Sequence, residues 1–255
     1  MGSNDGEFFW RIDTPENVMF KGFMGLGQGD QGKMFDEDWG VAICDNTGAI
    51  TEINGFQNTQ SATTTKIHYL TLDLGYDWLR GQGFKVASYV GYNYFQYAMK
   101  AFGCTSLKFS PPRVCNPTAP PRQLFLQEDD TWISWRLGTS AEIQLAPRLK
   151  VSGDVAYLPD VKYSGVDNHP LRVGDGPSTR SPMWGNGTGV QVEGVISYDL
   201  MQALSIGLGG RYWAMQIPTG TTNFFQKNEF FNQRFATEQT AVFVQGSYKF
   251  TAPLE

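Results

Sequence analysis

Ile67-His68-Tyr69-Leu70-Thr71-Leu72-Asp73-Leu74-Gly75-Tyr76-Asp77-Trp78-Leu79 changes character almost residue by residue. Leu70, Leu72, Leu74, Tyr76 and Trp78 fall on one face of an extended chain; Tyr69, Thr71, Asp73, Gly75 and Asp77 fall on the other. A period of two is that of a β-strand, and a long run with one apolar and one polar face puts the strand between two unlike environments. In Ile133–Leu145, Ile133, Trp135, Leu137, Ile143 and Leu145 oppose Ser134, Arg136, Gly138, Ser140 and Glu142 in the same way. Leu149–Tyr157, Val190–Tyr198, Leu204–Ala214 and Val242–Phe250 repeat it.

A half-buried sheet in water alternates too, so the pattern alone does not choose between solvents. Strand length, aromatic placement and connection length favour a bilayer. The runs are long enough to cross one when tilted, and Tyr76/Trp78, Tyr92/Tyr94 and Tyr212/Trp213 stand where interfacial girdles sit. Short turns at Asp13–Asn17, Arg80–Gly83, Ala146–Arg148 and Asp199–Ala203 alternate with long polar connections at about 36–66, 98–131, 160–188 and 216–238. Short periplasmic turns and long extracellular loops are the mark of an outer-membrane barrel. The expectation is an all-β, antiparallel transmembrane β-barrel, one domain over 1–255, with 1–6 and 251–255 as tag-like ends outside it. Nine strands are counted, the first being Glu7–Ile12. Bacterial barrels use even numbers, so the first strand of a ten-stranded barrel is expected to lie outside this sequence.

The bulk composition agrees. Aromatics at 14% and 29 glycines among 255 residues lean toward strands and turns. A net charge of −5 offers no electrostatic support for a nucleic-acid partner. No apolar run of 18 residues exists, which excludes a transmembrane helix and leaves a barrel open. The N-terminus shows no basic segment followed by an apolar one, so no signal peptide is read here. Cys104 and Cys115 flank a Pro-rich segment; they can close a short disulfide in an oxidising compartment or remain free thiols, with Cys44 left over. No Cys-x-x-Cys or His-rich spacing suggests zinc.

Candidate chemistry is confined by the presence of only two histidines. His68 faces out among Leu70 and Leu72 and reads as an interfacial, structural residue. His169 closes Tyr163-Ser164-Gly165-Val166-Asp167-Asn168-His169 at the extracellular rim, with Asp167 on the same face of an extended segment. A carboxylate so placed can orient an imidazole and stabilise its cation, although an isolated Asp-x-His in a loop is usually a solvated turn. Asp36 and Asp38, in Gly32-Lys33-Met34-Phe35-Asp36-Glu37-Asp38-Trp39, also share a face. Two close carboxylates can hold a water and retain a proton near neutrality; taken alone, such a loop is usually solvated decoration. The ligand spacing of a calcium loop is absent.

Together these stretches resemble the omptin family of outer-membrane proteases. Gly-Lys-Met-Phe-Asp-Glu-Asp-Trp at 32–39 is similar to the family's Asp-x-Asp-Trp motif, and Lys-Tyr-Ser-Gly-Val-Asp-Asn-His at 162–169 to its Asp-x-His motif. The resemblance runs from about Glu7 to the closing Tyr248-Lys249-Phe250 and implies a ten-stranded barrel with about nine strands present. It further implies that Asp36, Asp38, Asp167 and His169 are catalytic: Asp167 and His169 activate a water, held with the help of Asp36 and Asp38, that attacks a peptide carbonyl directly. Partners would be polypeptide substrates and outer-membrane lipids, with the chain monomeric and no cofactor or metal. Two departures stand out. The family's acid two residues before the catalytic Asp is Gly165 here, leaving Asp160, Asp175 and Glu52 as nearby sources of negative potential. The family's lipopolysaccharide motif is not retained at Tyr92-Asn93-Tyr94-Phe95-Gln96, so dependence on that lipid is not carried over.

The competing reading is a non-catalytic surface barrel, an adhesin or recognition protein. Its binding surface would be the loops carrying Asn223-Phe224-Phe225 and Glu229-Phe230-Phe231. A pore fits less well, because Asp73, Asp77, Arg136, Glu142, Lys150, Asp154, Glu193 and Arg211 read as a salt-bridged plug in a lumen that is narrow at this strand number. A lipid hydrolase would need a His-Ser pair or a calcium site near the membrane plane, and His169 lies well beyond the apolar band.

Overall fold

The computed structural model describes residues 2–44, 50–109, 120–173 and 176–250, without the side chains of Gln31, 37–44, 50–58 and 106–109. Its strands are β1 (Asn4–Asp13), β2 (Val18–Cys44), β3 (Ile50–Gly81), β4 (Phe84–Phe109), β5 (Leu124–Ala146), β6 (Leu149–Asn168), β7 (Arg180–Asp199), β8 (Leu204–Asn223) and β9 (Phe230–Tyr248). They form one nine-stranded antiparallel meander in sequence order, so every ladder joins chain neighbours. The sheet curls until Arg211 on β8 grips Glu7 on β1 at 2.5 Å.

The period-two reading holds face by face. Leu74, Tyr76 and Trp78 point outward, each more than half exposed, while Thr71, Asp73 and Asp77 are buried in the lumen. Trp135, Leu137, Ile143 and Leu145 likewise face out, against buried Ser134, Arg136 and Ser140. An apolar exterior around a polar interior is how a barrel meets lipid. His68 is indeed outward, but it lies in the middle of β3 rather than at a strand start.

Two expected boundaries are corrected. Most of the stretches 36–66, 98–131, 160–188 and 216–238 is strand, because β2 runs on to Cys44, β3 begins at Ile50, and β6 to β9 meet through turns of at most 11 residues. Polar composition marks where the apolar band ends, not where pairing ends. Backbone N–H and C=O groups still pair beyond that band, whatever the side chains are. The N-terminal boundary also moves, since Asn4 already pairs with Gln28; residues 251–255 lie outside the described residues.

The lumen is layered. At mid-height Arg136, 3% exposed, donates to Asp73 at 2.8 Å and to Asp154 at 3.2 Å, with Lys21 joining both carboxylates. Asn93, Thr71 and Gln191 lie in the same interior, linked by hydrogen bonds of 3.1–3.2 Å through the Asn93 amide oxygen. A second core, of Tyr69, Phe95, Trp132, Tyr163, Met183, Trp213 and Ile217, fills the lumen toward the outer end of the strands. Trp132 and Phe235 each lie 4.5 Å from the Tyr163 ring. Charge below and aromatics above make a plug, not a channel.

β1 and β9 are the two sheet edges, both running in the same direction because both are odd in an up-and-down meander. A space of about 860 Å³ lies between them, lined by Asn4, Asp5, Glu7 and residues 236–246.

The buried charge layer carries a stability prediction. Arg136→Ala leaves Asp73 and Asp154 without their main cation, and removing one partner of a buried ion pair typically lowers stability by about 3–5 kcal/mol. The urea midpoint of tryptophan fluorescence in detergent micelles should fall accordingly, while Asp73→Asn added to Arg136→Ala should recover part of the loss. An unchanged midpoint in the single variant would show that the layer is not structural.

Candidate functional site

Two one-residue irregularities decide which side chains enter the barrel mouth. Along lower β2 the inward residues are odd: Met19, Lys21, Phe23, Gly25. Between Gly29 and Gly32 the chain advances three residues while β3 advances two, from Thr65 to Thr63. That extra residue flips the alternation, so Gly32, Met34 and Asp36 turn inward and Phe35, 57% exposed, turns out. On β6, Ser152, Asp154, Ala156 and Leu158 face in, and then Leu158 to Val161 spans three residues against two on β7. Beyond this bulge Val161, Tyr163, Gly165 and Asp167 face in. Pro159 sits inside the bulge, where the lack of an N–H is harmless.

The result brings Asp36, from β2, into one mouth with Asp167, from β6 on the opposite wall, and His169, just beyond the end of β6. His169 Nδ1 lies 3.4 Å from Asp167 Oδ2, with both side chains less than one-fifth exposed. The His169 backbone is tied down, its N–H donating to the Thr179 carbonyl at 2.8 Å and its carbonyl accepting from Arg172 N–H at 3.0 Å. Asp38 follows Asp36 two positions along β2, opposite Gln57, which keeps it on the same ladder face; its side chain lies outside the described residues.

Two further carboxylates belong to this mouth and were not singled out from the sequence. Glu128 stands opposite Asp167 and Asp130 opposite Gly165 on the β5–β6 ladder. Tyr163 Oη donates to Asp130 at 2.8 Å, and Tyr97 bonds both acids. Any side chain at 165 would collide with the Asp130 carboxylate and the Tyr163 hydroxyl. Asp130 thus occupies the space that Gly165 vacates. Asp160 does not serve this role: it pairs with Lys162 on the outer surface at 3.9 Å. The side chain of Glu52, and Asp175 altogether, lie outside the described residues.

These acids lie beyond the outward apolar band and rest on the aromatic layer, so water screens them poorly. Burial, reinforced by the charges of Asp36 and Asp130, raises Asp167 to about 7, against a smaller lowering by Arg172. Burial, with Asp130 and Asp167, raises Glu128 to about 8. Burial raises Asp130 too, against hydrogen bonds from Tyr97 and Tyr163. Near neutral pH the cluster therefore shares protons, as close carboxylates must. Among the described residues no group of three or more His, Cys, Asp and Glu is gathered as a metal site. Cys104 is disulfide-bonded, with its partner outside the described residues.

Two predictions follow from this geometry. Deleting Asp160 removes the β6 bulge and returns Val161, Tyr163 and Asp167 to the outer face. A cysteine placed at 163 should then switch from protected to reactive toward a membrane-impermeant maleimide; continued protection would mean that the bulge does not set the register. Asp130→Asn withdraws a negative charge from Asp167, so its carboxyl should titrate below the value of about 7 in pH-dependent infrared difference spectra. The sign for stability is fixed as well: the folded chain keeps a proton that the unfolded chain sheds near pH 4. Stability on this account falls as pH rises from about 4 to about 7, and the variant should flatten that fall.

No protein-family model matches the sequence. No curated protein sequence matches it either. Among solved structures, the chain is similar to the crystal structure of outer membrane protease OmpT from Escherichia coli, with a TM-score of 0.64 at 12% sequence identity. The match covers 91% of this chain and 79% of that one. At this identity the likeness speaks for the fold, and the chain has the antiparallel barrel fold of that outer-membrane protease.

Proposed function

We propose that this chain is an outer-membrane endopeptidase, its site facing outside, that hydrolyses peptide bonds with a water activated in the barrel mouth. The observation that carries this reading is the convergence of Asp36 with Asp167 and His169 from opposite walls, each turned inward by its own bulge. Asp167 lies on the Nδ1 side of His169, leaving Nε2 to take the proton of the water. The water oxygen attacks the peptide carbonyl carbon. As the tetrahedral intermediate collapses, the C–N bond breaks and His169 returns the proton to the amine. Asp36 and Asp38 would hold the water, and a carboxyl that retains its proton near neutrality can donate to the developing oxyanion. No covalent enzyme intermediate is required.

Asp130 stands on the adjacent strand beside Gly165, and its carboxylate favours a cationic side chain beside the cleaved bond. The barrel would act as a monomer in lipid. The non-catalytic reading keeps one specific observation: Phe230 and Phe231 stand exposed at the rim, 62% and 47%.

The deciding measurement is cleavage of a mixed peptide library by the refolded barrel, with and without lipopolysaccharide, beside His169→Ala and Asp130→Asn. His169→Ala should lower kcat/KM by about 10²–10⁴-fold, the usual weight of a general base. Asp130→Asn should erode the preference for Lys and Arg by about tenfold or more, the worth of a charged hydrogen bond. A folded barrel that cleaves nothing, or cleaves equally well as His169→Ala, would transfer the assignment to surface recognition.

A further inference from the structure

The turn between β8 and β9 is conformationally costly. Phe225 (φ 51), Gln226 (φ 56) and Asn228 (φ 60) are all left-handed without being glycine. Such residues persist only where surrounding contacts enforce them, and they gather at functional sites. Here the contacts are specific. Phe225 N–H donates to the buried Ser181 hydroxyl at 3.1 Å, and its carbonyl accepts from Ser178 N–H at 3.3 Å. Gly176 makes room: a Cβ there would lie 2.7 Å from the Phe225 Cβ and 2.9 Å from its carbonyl oxygen. The clamp sets the Phe225 ring edge-to-face against the His169 imidazole, with centroids 5.7 Å apart and planes at 70°.

We propose that Phe225 is a positioning residue for His169. The imidazole has two torsions, and Asp167 Oδ2, 3.4 Å from Nδ1, restrains that edge of the ring. The Phe225 ring blocks rotation from a second direction and keeps Nδ1 turned to Asp167. The β6–β7 connection holds the imidazole's backbone and the β8–β9 turn holds its ring, so two otherwise separate rim segments interlock at one side chain. Asp167 and Arg172 on the β6 side and Lys227 on the β9 side are the charged groups around this contact. The proposal rests on His169 as the base of the proposed hydrolysis, but its geometric content is measurable without activity.

The test compares wild type, Phe225→Ala, Phe225→Tyr and Gly176→Ala barrels by peptide cleavage and by NMR of ring-labelled histidine. With only two histidines in the chain, a His68→Gln variant assigns His169. Phe225→Ala should lower kcat by about tenfold or more with KM within about twofold, the pattern of a displaced catalytic group. His169 ring resonances should move with it, Gly176→Ala should move them in the same sense, and Phe225→Tyr should restore both readouts. Wild-type kcat in Phe225→Ala, a loss confined to KM, or unmoved His169 resonances would each overturn the proposal. If His169→Ala leaves cleavage intact, the catalytic reading fails separately. The resonances then decide alone: displaced ones support the positioning contact, and unmoved ones overturn it.

Discussion

Side-chain alternation along a strand is the constraint on which this molecule depends. In a barrel each residue faces either lipid or lumen, and a shift of one residue exchanges the two for everything beyond it. Below the bulges this rule builds the apolar exterior and the Asp73–Arg136–Asp154 interior. Above them the same rule, offset by one, directs Asp36 and Asp167 into the mouth. Without the bulges Asp36 and Asp167 would project from the outer wall on opposite sides of the barrel and would not share one mouth. The site is therefore a product of register as much as of residue identity.

The layering gives those carboxylates their character. An open water-filled lumen would screen Glu128, Asp130 and Asp167 and leave them as ordinary acids. Trp132, Tyr163, Phe95 and Trp213 close the space beneath them with apolar rings, and burial becomes the leading cause of each upward shift. The aromatic layer needs its own support, because unpaired charges just below it would draw water upward. The Arg136 and Arg211 bridges neutralise that level, Arg211 by reaching Glu193 and Glu7 at 2.5 Å. Lower charge pairing, the aromatic floor and the proton-sharing mouth are linked steps of one arrangement.

The strand faces were legible in the sequence wherever the exterior is apolar and the lumen polar, as Leu70–Trp78 and Trp135–Leu145 show, since two unlike faces write a strict period. The pairing above the bilayer was not legible, because polar residues suit a water-exposed strand and a loop equally. Asp36, Asp167 and His169 could be singled out by motif, but their direction could not: simple alternation from Ser152 would have sent Asp167 outward. Pro159 in mid-strand was the available signal of a bulge, and Asp30-Gln31 gave none. Glu128 and Asp130 carry no motif at all. They matter through cross-strand register with Asp167 and Gly165, a relation between segments nearly 40 residues apart.

The exchange at Gly165 shows how one chemical environment can be built from different chain positions. A strand ladder places the neighbouring strand's side chain about 5 Å away on the same face, so an acid at 130 and an acid at 165 compete for the same volume. A Cβ at 165 would collide with the Asp130 carboxylate, so an acid there would require the Asp130 side chain to move aside. A reading made position by position along the chain finds no acid at 165, whereas a reading made in space finds the Asp130 carboxylate beside it, from β5. For this barrel, the electrostatics of the mouth have to be argued from the lumen wall as a surface, and the motif is only one of the strands that make it.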